Sequence, residues 1–201
     1  MNFSSYLQLL QISIGGFYES LASVCGDSPI ERVHYEQYIL APPSRILHPV
    51  SVYNVNGTVR GVESIIRGGT GSAVFYNNSA ATLDYGQNIA GLVSLQIGEI
   101  VGESHAIGIA FSESSVWISG LASDATAERG VDEIIWLLPS SPGNYSVSRE
   151  HERGAFRYLS LLHNSTGSVE VKQVSTYFTP MPHYTDNQLR DYTGYFHCDG
   201  I

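Results

Sequence analysis

Leu92-Val93-Ser94-Leu95-Gln96-Ile97 places Val93, Leu95 and Ile97 on one face of an extended chain and Ser94 and Gln96 on the other. This period-two pattern belongs to a strand with one buried face. It repeats downstream in Ala106 to Ser112, where Ile107, Ile109 and Phe111 align. Further out, the same reading marks Arg45 to Val55, Ser72 to Tyr76, Ala81 to Tyr85, Val116 to Ile118, Ile134 to Leu138, Tyr145 to Ser148, Ala155 to Leu162 and Val169 to Phe178. The pattern predicts about ten strands. In Ala155 to Leu162, Arg157 is expected on the face opposite Phe156 and Tyr158.

The segments between these runs carry turn chemistry: Asn56-Gly57, Gly68-Gly69, Asn77-Asn78, Ser140-Ser141-Pro142-Gly143 and Asn164-Ser165-Thr166-Gly167. No helical period lasts long enough to supply the crossovers of a parallel sheet, and Asp124 to Gly130 reads as one helical turn or an irregular loop. The expected fold is therefore all-β, an antiparallel jelly-roll-like β-sandwich over residues 25–184. Pro180 and Pro182 interrupt the last strand, and residues 185–201 read as an exit linker ending in an aromatic cluster, Tyr195-Phe196.

With 43% hydrophobic and 14% charged residues in a chain of 201, the composition suits a packed core and excludes intrinsic disorder. The formal net charge of −9 repels phosphate backbones and anionic bilayers, and the basic residues (Arg45, Arg60, Arg67, Arg129) are scattered. Nucleic acid and membrane are accordingly excluded as partners. Residues 1–24 are uncharged as far as Tyr18, with a short apolar middle, and read as a signal peptide too short and polar to span a bilayer. Outside the expected leader, which itself begins with Asn2-Phe3-Ser4, four Asn-x-Ser/Thr acceptors, Asn56, Asn77, Asn144 and Asn164, sit among turn residues. Leader and acceptors together predict a secreted, extracellular glycoprotein. The two cysteines, Cys25 and Cys198, are too few for a disulfide scaffold, and paired and free states stay equally open.

Several ordered stretches resemble fungal α-L-rhamnosidase-like glycoside hydrolases of the six-hairpin type. They are residues 38–42 (Tyr-Ile-Leu-Ala-Pro), 51–57 (Ser-Val-Tyr-Asn-Val-Asn-Gly), 83–91 (Leu-Asp-Tyr-Gly-Gln-Asn-Ile-Ala-Gly) and 111–120 (Phe-Ser-Glu-Ser-Ser-Val-Trp-Ile-Ser-Gly). The set continues through residues 123–127, 153–159 and 190–197 and covers most of the chain from about Tyr35. The resemblance implies the N-terminal β-sandwich region of such an enzyme, followed in the family by an (α/α)6 barrel that holds the acidic catalytic residues. On that reading this chain stops before the barrel, so no catalytic residue carries over. The expected role is an accessory, non-catalytic domain acting with rhamnose-containing plant glycans. A free-standing carbohydrate-binding module and a truncated product without function of its own are the alternatives.

Independently of the resemblance, the residues offer one candidate site. Trp117 and Trp136 flank a loop that carries Glu113, Asp124, Glu128, Asp132 and Glu133. An exposed indole gives a sugar ring an apolar face to stack on, and nearby carboxylates accept hydroxyl hydrogen bonds. Trp117, Trp136, Glu113 and Asp124 are thus the candidate carbohydrate-binding residues; the competing reading has both indoles filling the core and the carboxylates capping turns. Asp84-Tyr85-Gly86-Gln87-Asn88 has oxygen ligands suited to Ca²⁺, although an aspartate organising a turn accounts for it as well. No nucleophile elbow, phosphate loop or cysteine–histidine signature is present, so no metal and no cofactor are expected.

Overall fold

The computed structural model describes residues 39–102, 105–123, 133–180 and 189–190. The expected leader, Cys25, Cys198, Asp124 with the rest of its loop, and nearly all of the expected exit linker lie outside these residues. The chain divides into two compact units, Met1–Leu40 and Ala41–Ile201, and the description below concerns the second.

Seven strands build it: β1 (Ile46–Leu47), β2 (Ser51–Arg60), β3 (Ala73–Val101), β4 (Ile107–Ser112), β5 (Ile135–Leu137), β6 (Gly143–Ser146) and β7 (Arg153–Phe178). Every pairing is antiparallel, in the order β2-β3-β7-β4-β5, with β1 also beside β7 and β6 also beside β3. The fold is an all-β sandwich. Among the described residues, the helical content is three single turns of 3-10 helix, Val62–Ser64, Ser115–Trp117 and Arg149–His151.

Two strands are far longer than the alternation predicts, and the register explains how they close the sandwich. Val171 of β7 is flanked by Ala73 on one side and Ile97 on the other, both from β3. β3 can flank one strand twice only by bending. Its residues 73–76 pair with 168–171 of β7, residues 78–84 pair with 158–164, and residues 91–101 return to pair with 168–178. One layer therefore holds β1, residues 58–60 of β2, residues 73–76, 168–178, 91–101 and β6; the other holds residues 51–56 of β2, residues 78–84, residues 158–164, β4 and β5. Between them lie Phe75, Val93, Leu95, Ile97, Val169 and Val171 from the first layer and Ala81, Leu83, Ile107, Ile109, Leu159 and Leu161 from the second, all fully or almost fully buried. The alternation of Val93, Leu95 and Ile97 is the inward face of this core, as expected.

Three expected turns are bends inside strands instead. Asn56-Gly57 forms a bulge in β2, where the register slips between Asn56 and Thr58. Asn77-Asn78 and residues 164–167 lie opposite one another where β3 and β7 cross together from one layer to the other. Asn77 adopts φ 50° and Gly167 φ 102° there, and a Cβ on Gly167 would collide with the Val101 carbonyl oxygen. Turn residues supply a positive φ whether the chain reverses or only kinks. Val116 to Ile118 also differs from expectation: it is not a strand but lies mostly within the 3-10 turn Ser115–Trp117, whose start is capped by the Ser114 hydroxyl accepting from the Val116 N–H at 3.4 Å.

Arg157 does not face away from Tyr158. Its guanidinium lies 5.2 Å from the Tyr158 ring centroid and pairs with Asp84, while Phe156 points into the core. The register between β3 and β7 slips in this stretch, between Asp84 and Ile89, and simple alternation fails with it.

Candidate functional site

One row of residues crosses all five strands of the second layer: Asn56 of β2, Ala80 of β3, Leu162 of β7, Gly108 of β4 and Trp136 of β5. Neighbours in such a row project to the same face of the sheet. Gly108 decides how Trp136 lies, since a Cβ there would stand 2.8 Å from the indole Cζ3. With no side chain at position 108, the indole can approach the β4 backbone. Among the described residues β5 ends the sheet order, so Trp136 has no described strand beyond it and keeps 38% of its surface exposed.

Trp136 forms a wall shared by two depressions. The first, about 480 Å³, is lined by Phe111, Ser123, Glu133–Trp136 and Glu150–Arg153. The second, about 450 Å³, lies over the row itself, from Asn56 and Asn78–Ala80 across Leu162–Asn164 to Gly120, Leu121, Ile134 and Trp136. Both fall within the size range of small-ligand sites.

The charged wall of the first cleft is preset by local bonds. The 3-10 turn Arg149–His151 is closed by His151 N–H donating to the Ser148 carbonyl at 3.0 Å and Glu152 N–H to the Arg149 carbonyl at 3.2 Å. The Ser148 hydroxyl bonds the His151 Nδ1 at 2.9 Å. Arg153 extends over the Phe111 ring, 5.8 Å from its centroid, and the Phe111 N–H donates to the buried Ser123 hydroxyl. The cleft thus offers an aromatic face, carboxylate acceptors at Glu133, Glu150 and Glu152, and a guanidinium donor at Arg153. A sugar ring needs that combination, an apolar face to stack and hydroxyls that both give and accept hydrogen bonds. The three glutamates are solvent-exposed. A glycosidic general acid must be kept protonated by burial or by a neighbouring charge, so the arrangement suits binding better than proton transfer.

Of the candidates read from the sequence, Trp136 lines this cleft. Trp117 is 65% exposed on its 3-10 turn and lines neither depression, and Glu113 is exposed just past β4 and also lines neither. Asp124 lies outside the described residues. Neither indole fills the core. The residues missed are Glu150, His151, Glu152 and Arg153, and a signal for them was present: Arg149 to Arg153 is an unbroken ionisable run in a chain with only 14% charged residues.

The Ca²⁺ alternative at Asp84 gives way to an ion pair. Arg157 donates to both Asp84 oxygens at 2.9 Å, and the Gly86 N–H donates to Oδ1 at 2.6 Å, closing a turn. Among the described residues, no group of three or more metal-ligating side chains gathers to hold an ion. The Arg157 hydrogen bond lowers the Asp84 pKa, against the opposing effect of burial. A carboxyl held below its unfolded value of about 3.9 contributes stability that is present above that pH and lost as pH falls through the lower folded value. Asp84→Asn should therefore flatten the acid limb of a stability–pH profile below about pH 4. At neutral pH it should lower the unfolding midpoint by about 2–4 °C, the pair being partly exposed. Thermal scans at graded pH check both effects.

No family model matches the chain, and no curated protein matches it. Solved structures with a similar chain course include a rhamnosidase from Klebsiella oxytoca with rhamnose bound (13% identity, TM-score 0.46), of which this chain spans 28% while 66% of this chain is covered. The carbohydrate-binding module CBM32 of AlyQ, in complex with 4,5-unsaturated mannuronic acid, is similar over 64% of this chain and 97% of its own (12% identity, TM-score 0.43). The lectin domain of Lectinolysin complexed with Lewis b is similar over 70% of this chain and 99% of its own (12% identity, TM-score 0.46).

Proposed function

We propose that the chain is an accessory carbohydrate-recognition sandwich of a secreted, rhamnosidase-like glycoside hydrolase, and that it holds sugar against Trp136. The observation that carries the reading is the cleft itself: a half-exposed indole at the sheet edge, seated over Gly108 and facing Glu133, Glu150, Glu152 and Arg153. The ordered stretches that resemble the rhamnosidase-like enzymes support the choice of rhamnose-containing plant glycans as ligands. The exposure of the four acceptors among the described residues, Asn56, Asn77, Asn144 and Asn164, supports the secretory route.

Calorimetric titration with rhamnose, rhamnose-bearing oligosaccharides and unrelated hexoses tests the reading. Saturable heat confined to the rhamnose-bearing ligands supports it. Flat isotherms at millimolar ligand remove it. The purified chain should also release no aglycone from an aryl α-L-rhamnoside, because the cleft's carboxylates are solvated. Turnover that is lost on Glu150→Gln or Glu152→Gln would make the cleft an active site instead.

A further inference from the structure

Two of the four glycan acceptors among the described residues belong to the wall of the second depression. Asn56 and Asn164 both line it, both are exposed, and Asn56 stands on β2, which ends the sheet order and leaves one side open. A third acceptor, Asn77, precedes Asn78, which lines the groove and pairs with Asn164. The fourth, Asn144, is on β6 opposite Gln96 and lines neither depression. Acceptors spread over more than a hundred residues of sequence thus converge on one rim.

The floor and far wall are apolar. Ala80 and Leu162 form the base, and Leu121, 87% exposed, stands with Ile134 and Trp136 across from the acceptors.

We infer that this groove seats the chain's own N-linked glycan, carried by Asn164 and Asn56, with the inner N-acetylglucosamine rings lying against Leu162, Leu121 and the groove side of Trp136. The chemistry fits on both counts, because an N-acetylated sugar offers an apolar ring face and methyl for the wall and amide and hydroxyl groups for the polar rim. Tethering removes the need for tight contacts. A ligand held on a short flexible linker experiences an effective concentration in the millimolar range, so contacts too weak to capture a free sugar still keep the groove occupied for a large share of the time. The glycan then covers an apolar surface next to the ligand cleft and leaves the Glu150 side of Trp136 open. The inference rests on the secretory route but not on sugar binding in the cleft, so a failed ligand titration leaves it standing.

The test uses the full chain expressed behind a cleavable secretion leader in a glycosylating host, with Trp117→Phe so that Trp136 is the sole indole. Peptide mapping reads occupancy at each acceptor, and acrylamide quenching reads the exposure of Trp136. Thr58→Ala with Thr166→Ala removes both acceptor signals while leaving Asn56 and Asn164 in place; Asn144→Gln is the control. Glycan is expected on Asn56 and Asn164, and quenching is expected to rise about twofold in the Thr58/Thr166 variant and not in the control. Enzymatic trimming of the folded, glycosylated chain should give the same rise, which keeps the test independent of how the variants fold. Unmodified Asn56 and Asn164 in the secreted chain, or quenching that trimming leaves unchanged, overturns the inference.

Discussion

Phe156→Ala should lower the midpoint of thermal unfolding by about 6–20 °C, corresponding to about 3–5 kcal/mol of lost stability. Phe156 is fully buried, 4.8 Å from Phe111 and 5.5 Å from Tyr85 between ring centroids, so three aromatic rings from β4, β7 and β3 meet at one point. The Tyr85 hydroxyl continues the contact by bonding the Thr176 hydroxyl at 2.7 Å, and Thr176 belongs to the opposite layer. Truncating Phe156 therefore opens a cavity at a place where the layers are joined, and backbone hydrogen bonding keeps the sheets from collapsing to fill it. Domains of this size hold only about 5–15 kcal/mol in total, so the variant should sit close to its unfolding threshold. Phe156→Leu, which keeps most of the volume, should cost about a third as much. Thermal unfolding followed by circular dichroism measures both; a shift under about 2 °C for the alanine variant would mean that the junction packs differently.

The second large effect is functional. Trp136→Ala should weaken sugar binding by about 30-fold, or about 2 kcal/mol, because one aromatic wall supplies most of the apolar contact available to a sugar ring. The thermal midpoint should hardly move, since the side chain is half exposed on a strand paired on one side only. Trp117→Ala should leave binding unchanged, because that indole lines neither depression. Gly108→Ala offers an independent check that leaves the tryptophan itself unsubstituted: its added methyl would press on the Trp136 and Ile134 side chains and displace the wall, lowering affinity while leaving the carboxylates in place. Calorimetry on the three variants separates stacking from general loss of fold.

Much of the fold could be read from local pattern because the core is built from local pattern. Val93, Leu95 and Ile97 alternate in the sequence and alternate in burial, so strand identity and inward face follow directly there, whereas Ile107, Ile109 and Phe111 alternate in a strand, β4, that is buried on both faces. Connectivity was harder to read. Asn77 and Gly167 carry the residue types of tight turns, and a single positive φ looks the same in a sequence whether the chain reverses or bends with its sheet. Only the long-range register, Val171 against both Ala73 and Ile97, shows that three expected strands are one continuous β3 and two are one continuous β7.

The site was legible in its aromatic and in Glu133, and not in the rest of its charges. Trp136 could be proposed because a large aromatic near carboxylates suits a sugar, yet its exposure depends on β5 being the last strand in the order, a fact of topology. Trp117 lost its expected strand to the Ser114 cap, for which Ser114-Ser115 was the available signal. Glu150 to Arg153 join Trp136 through antiparallel pairing of strands far apart in the chain, and no spacing rule in the sequence brings those segments together.

The most direct measurement follows the two indole N–H resonances of the chain during a titration with rhamnose-bearing oligosaccharide. The chain contains only Trp117 and Trp136, and a Trp117→Phe variant assigns both peaks. A saturable shift of the Trp136 resonance with Trp117 unmoved is the expected result. If neither resonance moves at millimolar ligand, or if only that of Trp117 does, the Trp136 cleft is not where this protein meets sugar.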